Sequence, residues 1–309
     1  MSQVPERTLF GIALMLGFCA IAPLIDVFSK LAAETLPVGQ VTAARYVVQA
    51  LVLGLVIIIL RLQPNFQRRN LGSLFGAAIL SLGATYTFIA AIDQMPLADA
   101  LAIAFVEPFI LLLIGHFFLG HVIGWRRLLG AVVGFIGVLI IIRPTFQEVG
   151  AAAFLPLGTA LFFALYMLEM RRLSQRISPV VLQFQVALAA SVLAVPALFA
   201  LNGGPWPEFG LDYPVGKTWI WVLSIGAASS VSHLLPTNAL KNATSTVLAP
   251  LHYLEIVSAT AFGYFVFADF PDGLKLLGIL IVIASGLYVI YRERLAKVRV
   301  PPPANLTGG

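Results

Sequence analysis

Hydrophobic positions in this chain fall into long unbroken runs, not into strand-like alternation or amphipathic stripes. A run of about 20 apolar residues spans the hydrocarbon core of a bilayer. Ten such runs can be read, at roughly 8–29, 38–60, 71–92, 97–118, 124–143, 150–170, 179–201, 217–240, 244–267 and 273–291. The pattern predicts an all-α integral membrane protein with ten transmembrane helices. Pro37, Pro64, Pro96, Pro144, Pro179 and the segment Asn202-Gly203-Gly204-Pro205 punctuate the runs, as residues that break or turn helices do. The longest polar interruption, about 202–216, is too short to fold alone. The first run, Thr8 to Phe28, outlasts a signal-peptide core of about 7–15 residues and lacks a clear cleavage site. It reads as a retained span, and residues 295–309 read as a disordered cytoplasmic tail.

Composition closes off the soluble alternative. Hydrophobic residues make up 60% of the chain and charged residues 11%, against about 25% charged in soluble domains. The single cysteine, Cys19, lies in an apolar run and reads as a buried structural thiol. One cysteine excludes an intramolecular disulfide and a cysteine-based metal site.

Positive charge sets an orientation. With the N-terminus inside, the inner segments hold Arg7; Arg61, Arg68, Arg69; Arg126, Arg127; Arg171, Arg172, Arg176; Lys241; and Arg292, Arg294, Lys297, Arg299. The outer segments hold only Lys30, Arg143, Lys217 and Lys275, and Arg45 lies within a span. This bias predicts both termini on the cytoplasmic side. It also accounts for most of the net charge of +5. Basic residues scattered over several loops do not predict nucleic-acid binding.

The chain repeats itself. Residues 91–120 align without gaps on 239–268, an offset of 148 that superposes Ala91 on Ala239, Gly115 on Gly263 and Phe117 on Phe265. The same offset brings Leu128-Leu129-Gly130 onto Leu276-Leu277-Gly278 and Glu107 onto Glu255. Ten spans in two copies give five per copy, and an odd number forces the copies into opposite orientations. The expectation is two inverted five-helix repeats, residues 1–148 and 149–294. Inverted repeats recur in secondary transporters, with substrate near mid-membrane at the repeat interface.

The stretch from Tyr86 through Pro96 and Pro108 to GWRRLLGAVVGFIGVLIIIRP (124–144) resembles the EamA-type repeat, as does its counterpart ending DGLKLLGILIVIASGLYVIYR. Pro37 followed by Arg45 in span two fits the same pattern. The chain is thus similar, from about 8 to 294, to ten-span members of the drug/metabolite transporter superfamily. The resemblance implies proton- or gradient-driven movement, or exchange, of small organic metabolites. It implies a central cavity lined mainly by spans three, four, eight and nine. The family includes amino-acid exporters, riboflavin and other vitamin carriers, S-adenosylmethionine carriers and drug pumps. Members often carry an acid at the end of spans four and nine; here those places hold His121 and Asp269, so the first copy departs from the pattern. The residue there reads as structural, which leaves the transport expectation intact.

Ionisable residues at bilayer depth are costly, so they mark candidate sites. Glu107 and Glu255 lie near the middle of spans four and nine. They suit proton coupling or a counter-ion for a cationic substrate group; the alternative is a protonated carboxyl hydrogen-bonded between helices. Pro108 and Pro250 can open backbone beside them. His233 and His252 suit a proton relay, or else a helix-to-helix hydrogen bond. His252 and Glu255 lie three residues apart on one helical face. Arg45 and Asp26 can form a structural ion pair; alternatively Arg45 snorkels outward or grips a substrate carboxylate. Tyr86 and Asn238 complete the candidate cavity residues. Gly130, Gly134, Gly137, Gly278 and Gly286 predict close helix contact, within one chain or across a homodimer.

Together these features predict a secondary transporter of a small molecule in the bacterial inner membrane, not an enzyme, with no cofactor and no metal. No glycine loop followed by Lys-Ser/Thr points to ATP drive. The competing reading is an integral-membrane enzyme or accessory protein acting on a lipid-linked intermediate. It would concentrate acids at one membrane face, whereas Glu107 and Glu255 sit mid-span.

Overall fold

The structure is a computed structural model of the 309-residue chain, and it describes residues 6–64, 66–117, 125–243, 248 and 251–298. The described residues form helices and turns, with no strand. In chain order the helices are α1 (Glu6–Ala33), α2 (Val38–Ile59), α3 (Arg68–Ile92), α4 (Leu97–Ala104) and α5 (Glu107–Phe117). They continue with α6 (Trp125–Val149), α7 (Leu155–Ser174), α8 (Pro179–Leu201), α9 (Thr218–Asn242), α10 (Leu254–Phe267) and α11 (Gly273–Val298). Short 3-10 turns occupy Gly150–Phe154 and Pro207–Phe209.

Eight helical stretches are long and apolar enough to cross a membrane, and Leu254–Phe267 is a shorter apolar helix. Large side chains such as Leu51, Ile58, Phe199 and Phe265 are more than half exposed on the outer faces of these helices. Apolar surface on this scale belongs against acyl chains, and the protein is a multi-pass membrane protein.

Prolines place several helix starts. Pro37 and Pro96 adopt nearly the same extended backbone (ψ 141° and 140°) as N-caps of α2 and α4. Pro179 opens α8, where its missing N–H would have no intrahelical partner anyway. Pro144 departs from the sequence reading: it lies inside α6, which runs on to Val149. The turn into α7 comes instead at Gly150, whose φ of +64° suits a residue without Cβ. The last helix also runs further than expected, to Val298, so 295–298 are helical and only 299–309 fall outside the described residues.

α1 packs along α9 and α10, α3 along α7 and α8, α2 between α8 and α9, and α6 along α11. Small residues set the closest approaches. A Cβ on Gly278 of α11 would lie 2.8 Å from the Gly137 carbonyl oxygen of α6, and one on Gly137 would lie 3.0 Å from that of Gly278. The backbones touch there, so this glycine pair is used within one chain. Gly11 of α1 is held as closely: a Cβ there would meet the Ala243 side chain at 2.8 Å.

One end of the bundle is tied by ion pairs. Lys275 at the start of α11 reaches Asp99 of α4 at 3.0 Å and Glu148 of α6 at 2.7 Å. The Asp99 side chain is fully buried. Lys30 at the end of α1 reaches Asp269, just past α10, at 3.3 Å and donates to the Met95 carbonyl at 3.0 Å. Asp269 thus ties the end of α10 to α1, while His121 lies outside the described residues.

Two stability outcomes follow, both read as thermal unfolding midpoints of purified protein in detergent. Gly278→Val forces the α6–α11 contact apart and is expected to cost about 1–3 kcal/mol, whereas Gly72→Ala, with nothing within 4 Å of the added Cβ, is neutral or mildly stabilising. Lys275→Met strands the buried Asp99 charge and is expected to cost about 3 kcal/mol. Adding Asp99→Asn to Lys275→Met recovers much of that loss if the buried charge is its source.

Candidate functional site

The fourth apolar run is two helices. α4 stops at Ala104, Phe105 has ψ near 5°, and α5 begins at Glu107. Pro108 lacks the N–H that would bond the Ala104 carbonyl four residues back. The chain tightens across the gap: Val106 N–H donates to Ile103 O at 3.1 Å and Phe109 N–H to Val106 O at 2.9 Å. The ninth run breaks at the equivalent place. Residues 251–252 are helical, Tyr253 is a turn, and α10 begins at Leu254. Glu107 and Glu255 therefore both sit in the first turn of a helix, where the helix dipole favours a carboxylate. Pro250, expected to open the second break, lies outside the described residues.

Both acids line one cavity of about 180 Å³. Its wall draws on α1, α2, α3, α4–α5, α7, α9 and the 252–255 segment. The resemblance implied spans three, four, eight and nine; spans one, two and six contribute as well.

His252 Nε2 lies 2.9 Å from Glu255 Oε2, as their spacing predicts. Its ring sits between Phe18 and Phe105, with centroids 5.4 and 5.2 Å away. The Cys19 thiol is buried and donates to the Leu251 carbonyl at 3.2 Å, covering an acceptor at the break. Tyr253 faces away from the cavity, packed on Phe105 and against Gly286.

Arg45 is gripped by neutral groups. Its Nε donates to Ser229 Oγ at 3.1 Å, Nη1 to Thr85 Oγ1 at 2.6 Å and Nη2 to His233 Nε2 at 3.2 Å. A guanidinium only donates, so that His233 nitrogen accepts and the ring is neutral there. Tyr46 OH lies 2.7 Å from both Ser81 Oγ and Thr85 Oγ1, fixing the hydroxyl that holds Arg45. The expected Asp26–Arg45 ion pair is absent among the described residues. Both side chains line the cavity, but the guanidinium spends three donors on Thr85 of α3 and on Ser229 and His233 of α9. Arg45 does not snorkel outward either.

Two further candidates lie off the cavity wall. Tyr86 stacks on Phe209 of the α8–α9 connection, at 5.4 Å and 6° between planes. Asn238 turns back onto its own helix, donating to the Leu234 carbonyl at 2.9 Å. The sequence reading passed over Thr85, Ser229 and Ser232. The polar run Ser229-Ser230-Val231-Ser232-His233 inside an apolar helix was the available signal.

Known proteins agree with this architecture. The chain is similar to the S-adenosylmethionine uptake transporter of Rickettsia felis, 27% identical over 204 residues, which are 66% of each chain. It therefore spans just under two thirds of that relative's length. It is 26% identical over 257 residues to the pseudopaline exporter of Pseudomonas aeruginosa, covering 82% of this chain and 87% of that one. The riboflavin transporter of Rhizobium johnstonii is 26% identical over 214 residues, 69% of this chain and 68% of that one. A crystal structure only 16% identical shares the fold, with a TM-score of 0.63 over 96% of this chain and 99% of that one. Residues 9–143 and 150–292 each match the EamA-like transporter family, so the chain belongs to that family of transporters within the drug/metabolite transporter superfamily.

Proposed function

We propose that this protein is a secondary carrier moving a small organic metabolite, such as an amino acid, a vitamin or a related compound, across a bacterial inner membrane by alternating access. The observation that carries the reading is the pair of equivalent breaks that brings Glu107 and Glu255 onto one cavity at helix N-termini. Discontinuous spans whose half-helix ends face a shared mid-membrane site are a recurrent transporter device.

Ten spans in two inverted repeats, 1–148 and 149–294, fit the helices. The apolar stretch Leu128–Ser174 has 47 residues, about 70 Å as continuous helix at 1.5 Å per residue. A core about 30 Å thick makes it two passes, turned at Gly150. Leu254–Phe267 with residues 251–253 supplies a tenth. The packing supports the repeat: shifting by 148 residues exchanges the α1–α9 contact with α7–α3 and returns the α2–α8 and α6–α11 contacts to themselves. With the basic residues placed inside, both termini are cytoplasmic. The glycine contacts close within one chain, so they do not require a homodimer. Within the site we assign proton coupling to Glu255 with His252, and cavity shaping to Glu107 with Pro108.

The test is flux in proteoliposomes holding amino acids, flavins, nucleosides or cationic dyes under imposed pH or exchange gradients. One class is expected to move. Glu255→Gln is expected to lower pH-driven flux by at least about tenfold, a loss of 1.4 kcal/mol or more, while sparing one-for-one exchange. If no compound moves under any gradient, the carrier reading fails. Unchanged pH dependence in both Glu107→Gln and Glu255→Gln returns the acids to a structural role.

A further inference from the structure

The polar groups around the cavity are unevenly satisfied, and that imbalance describes a ligand. Three carboxyl groups line it: Asp26, Glu107 and Glu255. Only Glu255 has an ion-pair partner, His252; Asp26 and Glu107 make no hydrogen bond or ion pair among the described residues. A carboxylate without a bonded partner is costly. Arg45 lies within electrostatic reach of Asp26 and His252 within reach of Glu107, but neither is in contact, so both carboxyls stay open to a proton or a ligand cation.

Arg45 presents the opposite deficit. Its partners Ser229, Thr85 and His233 are all neutral. Three of its five N–H donors are engaged, which leaves two donors and a positive charge that no carboxylate contacts among the described residues, although Asp26 lies within electrostatic reach. Ser232 adds an independent sign: it is 1% exposed, lines the same cavity, and its Oγ has no hydrogen-bond partner. Phe18, Phe88, Phe105 and Phe163 supply apolar faces on α1, α3, the α4–α5 break and α7.

We infer that the cavity takes a zwitterion: a ligand whose cationic group meets Asp26 or Glu107, whose carboxylate meets Arg45 and Ser232, and whose flat apolar body lies among the phenylalanines. The inference rests on the proposed reading of the cavity as the substrate site. A dipolar ligand answers both deficits with no net charge. A flat neutral ligand leaves the carboxyls and the guanidinium unanswered, and a simple anion meets two unpaired carboxyls.

Binding to the full chain in lipid nanodiscs tests it, by calorimetry with tryptophan and S-adenosylmethionine as zwitterion-bearing probes. Tryptophanamide lacks the carboxylate, indole-3-propionate lacks the ammonium, and riboflavin is flat and neutral. At least one zwitterion-bearing probe is expected to bind about tenfold or more tighter than the three others. Arg45→Gln removes the advantage over tryptophanamide, and Glu107→Gln with Asp26→Asn removes the advantage over indole-3-propionate. Tightest binding by tryptophanamide, riboflavin or indole-3-propionate overturns the inference, as does failure of both zwitterion-bearing probes. The wild-type series decides even where a variant fails to fold. Flux of a neutral compound would leave the carrier reading standing and this one fallen; a zwitterion that binds but never crosses would do the reverse.

Discussion

Inside a bilayer, every backbone N–H and C=O must find a partner within the protein. The site depends on how this chain meets that demand where two of its spans are broken. At the α4–α5 break, 3-10 bonds through Val106 and Phe109 take up amides that a continuous helix would bond one residue further back. At the second break, the Cys19 thiol covers the Leu251 carbonyl. The freed helix starts then face a cavity, where a carboxylate in the first turn is favoured by the dipole. A continuous helix would offer no such terminus at that depth, and the two glutamates would be costly charges without compensation.

The breaks are tolerable because the surrounding bundle is held firmly. Close contact at Gly137–Gly278 and Gly11–Ala243 brings whole helices together by van der Waals packing. The buried Lys275–Asp99 pair and the Lys30–Asp269 pair join residues far apart in the chain at one end of the bundle. A scaffold fixed in this way keeps the cavity wall in place while the chain inside it departs from regular helix.

Much of the fold was legible because lipid imposes so simple a rule on sequence. Apolar run length located the eight helical stretches long enough to cross a membrane, and Pro37, Pro96 and Pro179 marked helix starts. Pro144 misled, because proline kinks a helix as readily as it ends one and α6 absorbs it. Glu107, Glu255, His252 and His233 were legible from cost alone, since ionisable groups are rare at bilayer depth. Direction was not legible. Hydropathy says nothing of which way a side chain faces, so Tyr86 and Asn238 joined the cavity candidates although one stacks on Phe209 and the other bonds its own helix. The partners of Arg45 were hidden for a related reason. Serine and threonine barely disturb an apolar run, yet Thr85 and Ser229, with His233, hold the guanidinium in place of the expected ion pair with Asp26.

The two halves share a backbone device but not its chemistry. Each places a glutamate at a helix start after a break, and there the likeness stops. Glu107 is followed by Pro108, which lacks the N–H a continuous helix would use, and the acid has no hydrogen-bond or ion-pair partner among the described residues. Glu255 has His252 against it at 2.9 Å, and that imidazole is held between two phenylalanine rings. A group paired to an imidazole has a proton acceptor or donor beside it, so charge can be exchanged without leaving a bare ion in the cavity. An unpaired group can settle its charge only through a proton or a ligand. The two halves thus hold equivalent positions with different neighbours, one acid beside an imidazole and one with no bonded partner among the described residues.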